Sequence, residues 1–350
     1  MNILISGASV AGPALAYWLH RQGHRVTVVE RAPAPRDSGY AVDFRGRAFE
    51  VLEGMGILEE VRGHDTRMRG TDLVDAEGRV TGELPAEAFA GELEVPKRDL
   101  TRILHRVTEG DVRYVFGDSI SALTQDRAGV RVEFENHEPA DVDLVVGADG
   151  VYSTARRLAF GPHTDHVRHL GMSGVGFTTA NHLGLDRRGV LHSAPGRAIY
   201  LFSAAEPDRM TVSLSFATDS PQLDLLDRAT QEELVRTAFA DFGWEVPRLL
   251  KEMGEADDLL FSSACQVEMD RWSTGRVVLV GDAGYCAAPS SGMGTSQALI
   301  GAHDLARRLA EHDGDLAGLT AAFAAHEREL RPYVADNQRH GREAVKMLGG

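Results

Sequence analysis

Asn2-Ile3-Leu4-Ile5-Ser6-Gly7-Ala8-Ser9-Val10-Ala11-Gly12, continued by a helical stretch to Arg21 and by Arg25-Val26-Thr27-Val28-Val29-Glu30, decides the fold. Ile3, Leu4 and Ile5 form a buried run. Ala11 to Arg21 carries helical apolar spacing through Leu15, Trp18 and Leu19, and Val26, Val28 and Val29 form a second strand. Strand, glycine turn, helix and strand in this order open a doubly wound α/β sheet. Gly7 permits the tight turn and Gly12 allows close helix packing. Ser9 stands where the middle glycine of G-x-G-x-x-G is usual, still small enough for close backbone approach. Amides around Ser9, Val10 and Ala11 then point at a pyrophosphate from a helix start. Glu30 ends the second strand, next to Arg31, where its carboxylate can accept from both hydroxyls of an adenosine ribose and repel a 2′-phosphate. The segment therefore favours FAD or NAD over NADP.

Outward from this unit, helix and strand stay interleaved to about residue 165, through a helix near Arg47 to Met55, strands near Thr71 to Asp75 and Arg79 to Leu84, and a helix from Arg98 to Thr108. Val142 to Ala148 is a continuous apolar run, which suits a strand covered on both faces. Between about 165 and 270 short alternating strands such as Met210 to Phe216 take over, with one amphipathic helix near Arg228 to Phe242. At Arg276-Val277-Val278-Leu279-Val280 the buried-strand texture returns, and a helix follows from about Gly294 to Glu311. The expected organisation is a discontinuous cofactor domain (1–165 and 271–315), an inserted β-rich substrate domain (166–270) and a C-terminal helical segment (316–350).

Lysine and arginine total 37 against 52 acidic residues, so the surface disfavours nucleic acid and anionic membranes. Cys265 and Cys286 are the only cysteines, too few for a disulfide framework and without metal-site spacing. The amino terminus lacks a signal-peptide pattern, and no stretch reaches the roughly 20 apolar residues of a membrane span. These features point to a cytoplasmic protein without metal, a monomer or weak homodimer.

Two further segments carry chemistry. One is Asp143-Leu144-Val145-Val146-Gly147-Ala148-Asp149-Gly150, followed by Ser153-Thr154-Ala155-Arg156-Arg157; the other is Gly281-Asp282-Ala283-Gly284, followed by Pro289-Ser290-Ser291-Gly292-Met293-Gly294-Thr295. With the first glycine turn, in this order and at these separations, they resemble the group A flavoprotein monooxygenases, the para-hydroxybenzoate hydroxylase fold that includes polyketide hydroxylases and tetracycline-inactivating monooxygenases. The resemblance covers nearly the whole chain.

The resemblance implies a Rossmann-like FAD-binding domain in which Asp282 bonds a ribityl hydroxyl, and Asp149 has a structural and pyrophosphate-side role. It also implies that Arg98, in Lys97-Arg98-Asp99-Leu100, lies against the FAD chain. The tetracycline-inactivating branch adds Asp43 on the flavin side and Arg36 toward NADPH. Gly292, Met293, Gly294 and Thr295 open a helix whose amides would stabilise the anionic N1–O2 edge of reduced flavin, with Pro289 as a wall of the substrate cavity. Tyr285 and Ser296 depart from the histidine and asparagine common in the family. His169, His182, His192 and Arg197 could meet a phenolate or enol, but no sequence pattern fixes a catalytic base. His303-Asp304 reads as structural.

The activity implied is an NAD(P)H- and O2-dependent hydroxylation of an aromatic, polyketide or antibiotic-like small molecule, with oxygen activated at flavin C4a. No halogenase signature and no second nicotinamide-binding βαβ unit is found. A reductase or halogenase on the same fold, or a binding protein that keeps FAD without turnover, are the alternatives.

Overall fold

A computed structural model describes residues 1–35, 41–86, 91–204 and 206–347. Among these, a parallel sheet runs in the order Val277–Leu279, Leu144–Gly147, Asn2–Ser6, Arg25–Glu30, Arg113–Phe116, with the short strand Ser273–Thr274 antiparallel at one edge. The mixed α/β class expected from the sequence is thus present. Side-chain alternation explains its unbroken apolar runs. Ile3, Ile5 and Val28 pack with Leu15 and Leu19 of the helix Ala11–Arg21, while Leu4, Val29, Val145 and Val277 turn the other way onto Ile120 and Val132. Both faces are covered, which is why the central positions of these strands are mostly apolar, while polar residues such as Ser6 and Glu30 fall at the strand ends.

A second, larger sheet runs Leu260–Val267, Val167–Ala180, Arg209–Ala217, Arg197–Ser203, Arg188–Ala194, Thr71–Val74, Val80–Leu84. One face carries Val175, Phe177, Ile199, Leu201, Val212 and Leu214. These meet Val235 and Leu249 of two helices, Arg228–Ala238 and Val246–Glu255, where the sequence suggested one. The partition needs a correction at residues 71–84. They lie in the segment assigned to the cofactor unit, yet Thr71–Val74 pairs in parallel with Arg188–Ala194 and brings Val80–Leu84 with it. Short strands carry no mark of the sheet they join, because pairing partners are set by tertiary packing.

A two-stranded antiparallel sheet, Ala41–Phe44 with Leu93–Pro96, forms a seam: it packs on the helix Gly294–Ala310, and Tyr200 of the larger sheet is within electrostatic reach of its Asp43 and Glu94. The charged tail is one helix, Leu316–Met347, packed on the helix Gly294–Ala310 and touching the turn Pro289–Ser291.

Candidate cofactor site

Gly7 takes φ +109°, a conformation that L side chains rarely adopt, and a Cβ there would lie 2.4 Å from the Ala148 carbonyl oxygen. At Gly12 a Cβ would lie 1.9 Å from the Gly7 carbonyl oxygen. Helix and turn are therefore in backbone contact, and both positions exclude any larger residue. No side chain caps the helix at Val10, and Ser9, Ala11 and Gly12 stand in the same opening turn. Their amides are available to an anion. Glu30 closes the other side of the turn: its carboxylate accepts from the amides of Ala8 and Ala32, each at 2.9 Å. Arg31 is exposed beyond the strand end.

Asp149 holds the site together. Ser6 Oγ donates to it at 3.1 Å, the Ala155 amide at 3.1 Å, and Ser153 Oγ donates as well, which ties the first strand to the start of the helix Thr154–Phe160. Burial raises its pKa, and these donors oppose the rise. Arg156, quoted in the second motif without a role, is fully buried and donates to the Ala283 carbonyl at 2.8 Å. Burial lowers its pKa to about 10. Its guanidinium joins the second motif to the loop that bears Asp282.

Gly281, at φ +65°, packs against Ala11, where a Cβ would lie 3.1 Å from the Ala11 Cβ. This contact sets Asp282 beside the first glycine turn. Burial raises the Asp282 pKa, opposed by the charge of Lys97 and by the Cys286 thiol. Lys97 starts the helix Lys97–Arg106, so the cation facing Asp282 is one residue from the expected Arg98. Arg98 instead pairs with Glu206 and lies 3.8 Å from Asp99. The resemblance named Arg98 alone, and helix phase separates it from the adjacent Lys97.

Asp43 and the Gly292 turn meet: a Cβ on Gly292 would lie 3.3 Å from Asp43 Oδ2, and one on Gly294 3.9 Å from Asp282 Oδ1. Asp43 accepts from the Gly91 amide at 3.1 Å, and burial raises its pKa. Ser296 Oγ accepts from the Arg45 amide at 3.0 Å and lies 3.4 Å from the Asp43 carbonyl, fastening the helix start to this strand. No side chain caps that helix at Met293, whose own amide bonds Ser291, so Gly294 and Thr295 present their amides forward. Ala288, just before exposed Pro289, is held at φ +76°, a strained conformation for a residue with a Cβ. Arg36 lies outside the described residues.

The remaining candidates serve packing. Tyr285 is fully buried against Trp272, with ring centroids 4.4 Å apart. His192 bonds the Val74 carbonyl, His182 pairs with Glu245 at 2.7 Å, His169 meets Ser173, and Arg197 pairs with Asp241 over the Phe242 ring. Asp304 accepts from His326 at 2.8 Å inside the core. A cavity of about 750 Å³ lies elsewhere, lined by His166, Arg168, Trp272, Arg331 and Gln338, and includes none of the cofactor residues. Among the described residues no His, Cys, Asp or Glu cluster could hold a metal ion, and no helix is long and apolar enough to cross a membrane.

The donor set fits FAD. Two uncapped helix starts, one acid at the end of the second strand, and two acids beside the second glycine turn are spread along one seam. Residues 1–340 match the family described as FAD binding domain. The chain is 41% identical over 343 residues to an uncharacterized protein of Mycobacterium tuberculosis (strain ATCC 25618 / H37Rv), with 96% of this chain and 91% of that protein covered. It is 35% identical to the flavin-dependent monooxygenase of Legionella longbeachae serogroup 1 (strain NSW150), covering 97% of this chain and 88% of the relative. The crystal structure of tetracycline destructase Tet(51) superposes with a TM-score of 0.90 at 35% identity, over 99% of this chain and 90% of the other. With the glycine turns, Asp282 and Glu30 disposed as described, the chain belongs to the FAD-binding domain family and, within it, to the flavin-dependent monooxygenases.

Proposed function

We propose that this monooxygenase uses NAD(P)H and O2 to hydroxylate an electron-rich aromatic, polyketide or antibiotic-like molecule. The observation that carries the reading is the seam itself, where Asp43 and Asp282 meet the Gly292–Gly294 turn and Tyr200 of the second sheet lies within electrostatic reach of Asp43. The face of that sheet turned away from its helix-covered core carries Thr211, Ser213, Ser215 and the stacked rings of Tyr200 and Phe202, with centroids 5.2 Å apart. A flat ring system bearing oxygen substituents fits such a surface. The likeness to tetracycline destructase Tet(51) supports the antibiotic-like part of the reading.

Bound FAD would supply the redox chemistry, taking electrons from NAD(P)H and activating O2. The chain's own residues hold and shield it. Ser9 to Gly12 and Lys97 would face the pyrophosphate and ribityl region, Glu30 the adenosine ribose and Asp282 a ribityl hydroxyl. Gly294 and Thr295 would direct their amides at the flavin edge, where negative charge develops on reduction. Pro289 would wall the cavity, and Arg36 would meet the nicotinamide cofactor's phosphate. Residues 1–165 without 71–84, together with 271–315, would act as the cofactor unit, and the larger sheet as the substrate unit, in a cytoplasmic monomer or weak dimer.

The test is anaerobic stopped-flow reduction of the FAD-loaded protein by NAD(P)H across a panel of phenols, polyketides and antibiotics. A true substrate should accelerate reduction, since filling the cavity excludes the water that would waste activated oxygen. Tight binding of every effective ligand with no change in the reduction rate would contradict the reading.

A further inference from the structure

In the two-stranded seam sheet, Asp43 stands directly across from Glu94. Glu94 is fixed from behind: Thr66 Oγ1 donates to its Oε2 at 2.5 Å, and the Thr66 amide donates to its carbonyl at 2.8 Å. The charges that reach Glu94 are negative, from Asp43 on the neighbouring strand and from Asp65 beyond the helix Leu58–Gly63. The Tyr200 phenol approaches from the larger sheet, within electrostatic reach of both Glu94 and Asp43, and Thr71 stands 3.5 Å from its hydroxyl. The nearby cation, Arg45, acts on Asp43. The flavin-edge turn, Asp43, Glu94 and the substrate-side Tyr200 thus form one continuous file across the seam.

We propose that Glu94 is a positioning residue for the flavin edge. Protonated, it leaves Asp43 as the one charged member of the cross-strand pair; ionised, it adds a second negative charge to that pair, which weakens FAD binding. The proposal rests on the reading of Asp43 and Gly292–Gly294 as the flavin edge. Burial, with Asp43 and Asp65 adding to it against the Thr66 bond, raises the Glu94 carboxyl to about 7, so the change of charge falls within the ordinary working range. Tyr200, pushed up to about 12 by burial, stays neutral there and does not contribute to the same transition.

The experiment measures FAD affinity by flavin fluorescence from about pH 6 to about pH 8.5 for the wild type, Glu94→Gln and Thr66→Val. The amide introduced by Glu94→Gln would retain an acceptor for the Thr66 hydroxyl without a titrating charge. Wild-type affinity should fall by roughly tenfold across the range, as expected for one added charge at short distance in a partly buried site. Glu94→Gln should stay at the acidic-side affinity throughout. Thr66→Val, which removes a bond favouring the ionised carboxylate, should move the wild-type midpoint to higher pH. Equal pH dependence in all three proteins overturns the proposal. Failure of all three to bind FAD at any pH overturns the flavin-edge reading and the proposal with it.

Discussion

At Lys97 and Arg98 neighbouring side chains have different partners, and the proposed cofactor role goes to the one whose charge reaches Asp282. Lys97 acts on Asp282, while Arg98 is held by Glu206 and Asp99. Lys97→Met should therefore weaken FAD binding by roughly tenfold, and Arg98→Met should leave it within about twofold. Asp282→Ala should weaken binding by about 1–3 kcal/mol, the usual consequence of removing a buried acceptor. Fluorescence titration of the three variants with FAD checks both statements, and a larger loss for Arg98→Met would reverse the assignment. Glycines and terminal acids were legible in the sequence because their roles follow from backbone geometry: no other residue fits at Gly7 or Gly12. Side-chain direction at the helix start was not, since a shift of one residue turns a side chain by about 100° around the helix. The role of Arg156 within its motif stayed hidden for a related reason. Its meaning depends on the Ala283 carbonyl, far away in the chain.

Among elements, the helix Gly294–Ala310 shows how the two departures from the family pattern are accommodated. Ser296 clasps the strand bearing Asp43, and Gly301 leaves room for Tyr285, since a Cβ there would lie 2.1 Å from the Tyr285 hydroxyl oxygen and 3.2 Å from its Cζ. Gly301→Ala should thus cost about 1–3 kcal/mol of stability through overpacking. Adding Tyr285→Phe should recover much of that, because it deletes the closest contact together with a buried hydroxyl that has no partner among the described residues. Chemical denaturation of the single and double variants tests this. Additive losses would show that the hydroxyl is not the obstacle. The helix itself was readable from its apolar spacing. Its partner residues were not, because tyrosine as core filler and tyrosine as proton relay look alike until burial is known.

For the whole molecule, continuous apolar strands announced the sheet covered on both faces, and the three glycine-and-acid motifs announced one cofactor spread along it. Thr71–Val74 and Val80–Leu84 carried no comparable sign, because the sheet they complete is assembled from strands more than a hundred residues further along the chain. That long-range pairing gives the larger sheet an anchor in the first part of the chain, and Tyr200 on that sheet lies within electrostatic reach of Asp43 and Glu94. The central claim concerns what this arrangement does with oxygen. The most direct test is turnover of the FAD-loaded protein with NAD(P)H, a reduction-accelerating substrate and ¹⁸O-labelled O2, followed by mass spectrometry of the product. One labelled oxygen atom per product molecule is the predicted result; reductant consumed with peroxide formed and no label in any product would contradict it.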